Sequence, residues 1–147
     1  VLNHPKVEFA LKTQYFFSLM DTLGLCQFDW GPTWELYGPE RLAEYVNAVT
    51  GWDTTLEELM RVGERRLNLL RAFNAREGIG READKLPKRL HKMLTEGPSE
   101  GLQMTEEELE EAKDIYYEMA GWDITTGMPR AETLERLGLA WANGTTS

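Results

Sequence analysis

The run Thr54-Thr55-Leu56-Glu57-Glu58-Leu59-Met60-Arg61-Val62-Gly63-Glu64-Arg65-Arg66-Leu67-Asn68-Leu69-Leu70-Arg71-Ala72-Phe73-Asn74-Ala75-Arg76 decides the fold. Thr54 or Thr55 caps its start. Each has a Glu three residues on (Glu57, Glu58), the pairing in which cap hydroxyl and carboxylate satisfy each other's free backbone N–H groups. Leu56, Leu59, Met60, Leu67, Leu70 and Phe73 then recur at helical spacing, so one long helix runs to about Ala75 or Arg76. Gly63 inside it costs about 1 kcal/mol relative to Ala. Such a glycine implies close approach of another backbone, which puts this helix at the centre. The Arg and Glu density from Gly63 to Gly78 has two readings, since these residues are rarely buried unpaired. One is a solvated face with i,i+4 pairs. The other is a buried ion-pair network, with Glu64 and Arg71 beside the apolar stripe, holding the helix against a turn at Asp21.

That turn lies upstream. Val7, Leu11, Tyr15 and Leu19 mark a helix over residues 6–20, and Phe9, Ala10, Phe16 and Phe17 widen its apolar face enough to suggest burial on more than one side. Asp21-Thr22-Leu23-Gly24-Leu25-Cys26 follows. Gly24 permits the positive φ that stops a helix, so a carboxylate and the chain's single thiol share one tight turn. Taken locally, Asp-x-x-Gly at a helix end is common and a lone cysteine is first a small buried hydrophobe. One cysteine cannot complete an iron–sulfur cluster or a structural zinc site. If Cys26 is a ligand, its partners lie outside the chain. Phe28, Trp30 and Trp34 then sit in a turn-rich loop, the tryptophans reading as packing anchors before pocket walls.

Downstream, Pro39 opens a helix bearing Leu42, Tyr45, Val46 and Val49, and Gly51 closes it. Residues 79–85 read as a polar connector and residues 88–94 as a short exposed helix in which His91 is a surface residue. Residues 96–101, with Gly97, Pro98 and Gly101, form the clearest loop, and a sub-division of the single helical unit would fall near 96–104. Thr105 and Glu108 repeat the capping pattern for a helix ending at Gly121, whose acidic start at residues 106–111 suits the helix dipole. Pro129 opens a last helix with Leu134 and Leu137, and the tail from Asn143 to Ser147 looks frayed. Gly51-Trp52-Asp53 and Gly121-Trp122-Asp123 read as one helix stop and aromatic plug used twice. No stretch alternates with period two, so the expectation is an all-α domain of five to six helices without significant sheet.

The 147 residues suit one domain, 41% hydrophobic and 28% charged. A net charge of -9 with no basic stripe argues against nucleic-acid binding. No apolar run nears the roughly 20 residues of a membrane span. One cysteine excludes an internal disulfide and points to a reducing, cytoplasmic compartment. The start, Val-Leu-Asn-His-Pro, reads as cut from something longer.

Asp21-Thr22-Leu23-Gly24-Leu25-Cys26, Val49-Thr50-Gly51-Trp52, Gly63-Glu64-Arg65, Asn74-Ala75-Arg76-Glu77-Gly78 and Leu86-Pro87-Lys88-Arg89 occur in the order seen in tungsten-containing aldehyde ferredoxin oxidoreductases. Tyr116-Tyr117, Gly121-Trp122-Asp123, Gly127-Met128-Pro129 and Leu137-Gly138-Leu139 extend the likeness over nearly the whole chain. The chain resembles the C-terminal helical part of such an enzyme. The resemblance implies oxidation of a small aldehyde to a carboxylic acid at a tungsten (or molybdenum) held by two pterin dithiolenes, with electrons leaving through a [4Fe-4S] cluster to ferredoxin. It implies that Asp21 hydrogen-bonds pterin amines, that Gly24 and Leu25 supply close backbone, and that Cys26 is the fourth cluster thiolate. The other three cysteines, a second Asp-x-x-Gly-Leu motif and the acid/base residues would belong to the N-terminal remainder of the enzyme. No catalytic residue is carried over, His4 and His91 match no site motif, and the piece alone is expected to be inactive and to hold no cofactor. The competing reading is a stand-alone helical interaction or scaffold module, which would have no need of both Asp21 and Cys26.

Overall fold

The computed structural model describes residues 2–30 and 37–143. Among the described residues six α-helices follow one another: α1 (His4–Leu23), the single turn α2 (Gln27–Trp30), α3 (Pro39–Thr50), α4 (Leu56–Arg76), α5 (Glu106–Ala120) and α6 (Ala131–Arg136). Short 3-10 turns lie at Arg81–Ala83, Lys88–His91 and Ala140–Ala142. No strand occurs among the described residues, and the one β-bridge there joins Trp122 to Pro129. The all-helical expectation holds. Trp34 and the tail beyond Asn143 lie outside the described residues.

Local chemistry sets the helix ends. The Thr55 and Thr105 hydroxyls each accept from the N–H three residues on, and Glu58 and Glu108 return the bond to the cap N–H. Of the two candidate caps for α4, Thr55 is the one used. Gly24, Gly51 and Gly121 stop α1, α3 and α5 at φ of 68°, 74° and 70°. The last helix begins later than Pro129 suggests, at Ala131, because Pro129 is buried in the bridge to Trp122.

α1 and α4 form the central pair. A Cβ at Gly63 would lie 2.0 Å from the Tyr15 carbonyl oxygen, so the two backbones touch where only glycine fits. Around this crossing lie Phe16, Leu19, Met20, Trp30, Leu42, Val46 and Leu59, with Trp30 a packing anchor. Leu11, Tyr117, Ala120 and Trp122 bury α5 against the other end of α1, and Ala72, Leu134, Leu137 and Leu139 seat α6.

Several expectations are corrected. The buried row of α4 is Leu59, Gly63, Asn68, Arg71 and Ala72, whereas Leu70 and Phe73 are about half exposed. Two polar side chains take the inner register because Asn68 and Arg71 both engage the Trp122 corner, which turns Leu70 and Phe73 outward. Phe9 is 62% exposed, so α1 is buried on more than one side only in its C-terminal half. The helix expected over 88–94 is a 3-10 turn ending at His91, since Leu94 instead exchanges backbone bonds with Gly101 and Leu102. His91 is half-buried, its Nδ1 3.0 Å from the Met104 carbonyl oxygen. The two Gly-Trp-Asp corners share a backbone and not a packing: Trp122 is buried and Trp52 is 64% exposed.

Candidate functional site

α1 ends by turning sharply. Gly24 N–H donates to the Asp21 carbonyl and Leu25 N–H reaches back to the Met20 carbonyl at 3.0 Å. Leu25 packs against the cluster around the α1–α4 crossing, which anchors the turn from inside. Nothing lies within 4 Å of where a Gly24 Cβ would sit, so the outer side of the turn is open to a close neighbour. Cys26 is an exposed free thiol whose carbonyl starts α2 by accepting from Asp29 and Trp30. A cleft of about 740 Å³ runs beside it, walled by Gly24, Leu25, Cys26, Trp30, Tyr37 and Tyr45.

Asp21 lies in the last turn of α1 and is exposed. Gln27 Nε2 donates to its Oδ1 at 2.8 Å and Arg66 Nη1 to its Oδ2 at 3.1 Å. A carboxylate offers about four acceptor positions, so each oxygen keeps one for a further donor. The donor set therefore fits the cofactors implied above: an open carboxylate suits ring N–H and amine donors, and an open thiol suits iron. Among the described residues no three His, Cys, Asp or Glu side chains gather as a metal site. Cys26 has no co-ligands among them.

The ion-pair question resolves into separate contacts. Arg66 ties α4 to Asp21, but in a half-exposed pair. Arg136 of α6 holds Glu64 at 2.6 Å. The buried pair is Arg71, which faces away from the turn. Its Nη1 and Nη2 donate to both Asp84 oxygens at 3.0 and 2.6 Å, and its Nε to the Gly127 carbonyl at 2.6 Å. The guanidinium also lies 4.8 Å from the Trp122 ring centre, whose Nε1 donates to Asn68 Oδ1 at 2.8 Å.

Asp84 and Arg81 were missed in the connector reading of residues 79–85, and Tyr117, named only for the family likeness, was given no role. Arg81 reaches Glu110 at 2.6 Å and Asp114 at 2.5 Å on α5. Burial pushes the Asp84 carboxyl up, but hydrogen bonds from Arg71 and Tyr117 and the Arg71 charge outweigh it, and the carboxyl ends below its usual range. Burial first, and then Asp84, push the Tyr117 hydroxyl up. A cavity of about 410 Å³ opens here, lined by Arg71, Asp84, Lys113, Tyr116, Tyr117 and Trp122. Its cations are committed: each Arg71 nitrogen is bonded, and Lys113 Nζ donates to the Asp84 carbonyl and to Glu110. The cluster is a clamp joining α4, the connector and α5. The one sequence signal was an Arg placed beside the apolar stripe of α4.

No helix among the described residues is long and apolar enough to cross a membrane. Residues 2–139 match a family model described as aldehyde ferredoxin oxidoreductase, domains 2 and 3. The all-helical bundle and its open carboxylate–thiol turn thus lie within the stretch that this family model covers. The chain belongs to the aldehyde ferredoxin oxidoreductase family. It is 36% identical, over 95% of its length and 22% of the relative's, to a tungsten-containing aldehyde ferredoxin oxidoreductase of Pyrococcus furiosus. The same comparison with the tungsten-containing enzyme of Thermococcus kodakarensis gives 35% over the same shares. An aliphatic sulfonate oxidoreductase, WOR-like subunit, of Pyrococcus furiosus is 31% identical over 83% of this chain and 20% of that one. The active-site complex BamBC of benzoyl-coenzyme A reductase, solved with 1,5-dienoyl-CoA, superposes with a TM-score of 0.75 at 26% identity, over 97% of this chain and 21% of that one. The chain spans about a fifth of the length of the relatives it matches.

Proposed function

We propose that this chain is the C-terminal helical part of an enzyme that oxidises small aldehydes to carboxylic acids and passes the electrons to ferredoxin. In this reading Asp21 hydrogen-bonds the amine edge of a pterin, Gly24 and Leu25 supply the close backbone, and Cys26 is the fourth thiolate of a [4Fe-4S] cluster. The observation that carries the reading is the α1 turn, which leaves Asp21 and Cys26 exposed on a glycine-opened surface with no metal-ligating cluster beside them among the described residues. When bound, the tungsten or molybdenum bis-pterin supplies the redox chemistry and the cluster carries the electrons away. This chain's share is to bind and orient: Asp21 accepts hydrogen bonds, the turn brings backbone close, and Cys26 gives its thiolate. The remainder of the same enzyme supplies the other cluster cysteines and the groups that act on the aldehyde. A reducing, cytoplasmic setting keeps Cys26 available as a ligand.

The test is Cys26→Ser in the full-length enzyme, purified anaerobically. The wild type should carry about four iron atoms per chain as a cluster. The variant should lose iron and the cluster's paramagnetic resonance signal while its pterin content persists. An unchanged cluster signal in Cys26→Ser sinks the ligand role. The isolated 147-residue chain should show neither aldehyde oxidation nor stoichiometric iron–sulfur absorbance.

A further inference from the structure

The geometry points to Arg66, assisted by Gln27, as the residue that positions Asp21 for the pterin; this rests on the reading of Asp21 just given. An exposed Asp in a final helical turn would otherwise sample several rotamers. Here its oxygens are held from two unrelated places. Gln27 reaches Oδ1 from just past the turn, and Arg66 reaches Oδ2 from the middle of α4, 45 residues away in sequence.

Arg66 is well placed to hold a fixed direction. It follows Gly63 by three residues, so it leaves α4 beside the point where the α1 and α4 backbones touch. Its Nη1 also lies 3.4 Å from the hydroxyl of Ser18, a buried residue one turn before Asp21. The guanidinium therefore spans two α1 side chains on one helix face. Arg66 and Asp21 are 38% and 43% exposed, and pairs in that setting contribute at most about 1 kcal/mol to stability. Stability does not account for an arginine carried this way. Orientation does: with Arg66 and Gln27 each occupying one acceptor position, each oxygen of this partly exposed carboxylate keeps one for an N–H donor. Partners of this supporting kind commonly change affinity by about 10–100-fold when removed, without touching the bound group.

The experiment uses the full-length holoenzyme with Asp21→Ala, Arg66→Met, Arg66→Lys and the double variant Asp21→Ala/Arg66→Met. Pterin is released anaerobically in mild urea, oxidised to its fluorescent form and counted per chain against time; thermal unfolding of each variant is recorded alongside. Arg66→Met should lose pterin about tenfold faster than wild type. Arg66→Lys, which keeps a cationic donor, should recover most of the retention, and the double variant should lose pterin no faster than Asp21→Ala. Melting should fall only slightly in both Arg66 variants, by the small contribution of an exposed pair and of the weaker cofactor binding. Wild-type retention in Arg66→Met with fast loss in Asp21→Ala overturns the positioning role and leaves the Asp21 reading standing. Wild-type retention in Asp21→Ala overturns the Asp21 reading and this inference with it. Faster loss in the double variant than in Asp21→Ala also overturns the inference.

Discussion

Gly51-Trp52-Asp53 and Gly121-Trp122-Asp123 begin alike and end differently. Both glycines stop a helix in the left-handed region, at φ of 74° and 70°, and both hand the chain to a tryptophan. Trp122 then enters a slot. Its Nε1 is bonded to Asn68, Arg71 stacks on its ring, and its backbone pairs with Pro129. Asp123 closes the loop by accepting from Thr125 and Thr126. Trp52 has its backbone N–H on the Thr50 hydroxyl at 3.2 Å, and the residue is mostly exposed. The tripeptide thus encodes a turn. Burial comes from what the turn meets: α4 lies under the second corner with two polar side chains ready, whereas the first corner leads into the start of α4 and meets nothing equivalent among the described residues.

The contrast breaks most visibly at the buried ring. Trp122→Ala should cost about 4 kcal/mol in urea unfolding, from the cavity and the stranded Asn68 amide. A loss below about 1 kcal/mol would mean the slot contributes little and the two corners are energetically alike.

The ion pair next to that slot comes second. Removing one partner of a buried pair costs about 3–5 kcal/mol, and Asp84→Asn should fall at the low end because Asp84 is a third exposed. The sign of its pH dependence follows from the lowered folded value. Stabilisation by Asp84 is fully present above the unfolded carboxyl value near about 4 and fades as pH drops through the lower folded value. Wild type should therefore lose this contribution on acidification, and Asp84→Asn should show a flatter acid limb in unfolding measured from pH 6 downward. Parallel acid limbs for the two proteins would remove Asp84 from the acid response.

Much of this was legible because it is local. The Thr55 and Thr105 caps, the stops at Gly24, Gly51 and Gly121, and the close approach at Gly63 each follow from a few neighbouring residues. The turn bearing Asp21, Gly24, Leu25 and Cys26 was legible for the same reason. What stayed hidden spans distance. Arg71 finds Asp84 13 residues on and Arg81 finds Asp114 33 residues on, while the tie from α4 to the Asp21 turn was one of two open readings whose residue, Arg66, was not singled out. Periodicity also favoured Leu70 and Phe73 for the core, because it ranks residues by hydrophobicity. It cannot register that Asn68 and Arg71 have partners awaiting them inside.

The two stop glycines offer a smaller, sharper version of the same contrast. Gly51→Ala should cost about 1 kcal/mol, the conformational penalty alone, since nothing lies within 4 Å of the added Cβ. Gly121→Ala carries that penalty and a collision, its Cβ falling 2.2 Å from Thr133 Oγ1, which itself donates to the Gly121 carbonyl at 2.8 Å. A cost of about 2 kcal/mol or more is expected. Equal costs at the two glycines would show that Thr133 yields freely and that packing adds nothing to the second stop.

The smallest effect is the most telling. Trp52→Ala should change stability by no more than about 0.5 kcal/mol in the 147-residue chain, because an exposed ring loses little when removed. A cost near that of Trp122→Ala would break the comparison outright, since it would require contacts at Trp52 that its exposure rules out. The same substitution in the full-length enzyme sharpens the comparison. If Trp52→Ala is neutral in the chain and costly in the whole enzyme, the first corner is completed by sequence outside this chain, as the second is completed by α4. If it is neutral in both, the Gly-Trp-Asp turn at residues 51–53 needs its glycine alone, and the shared tryptophan reflects no shared packing.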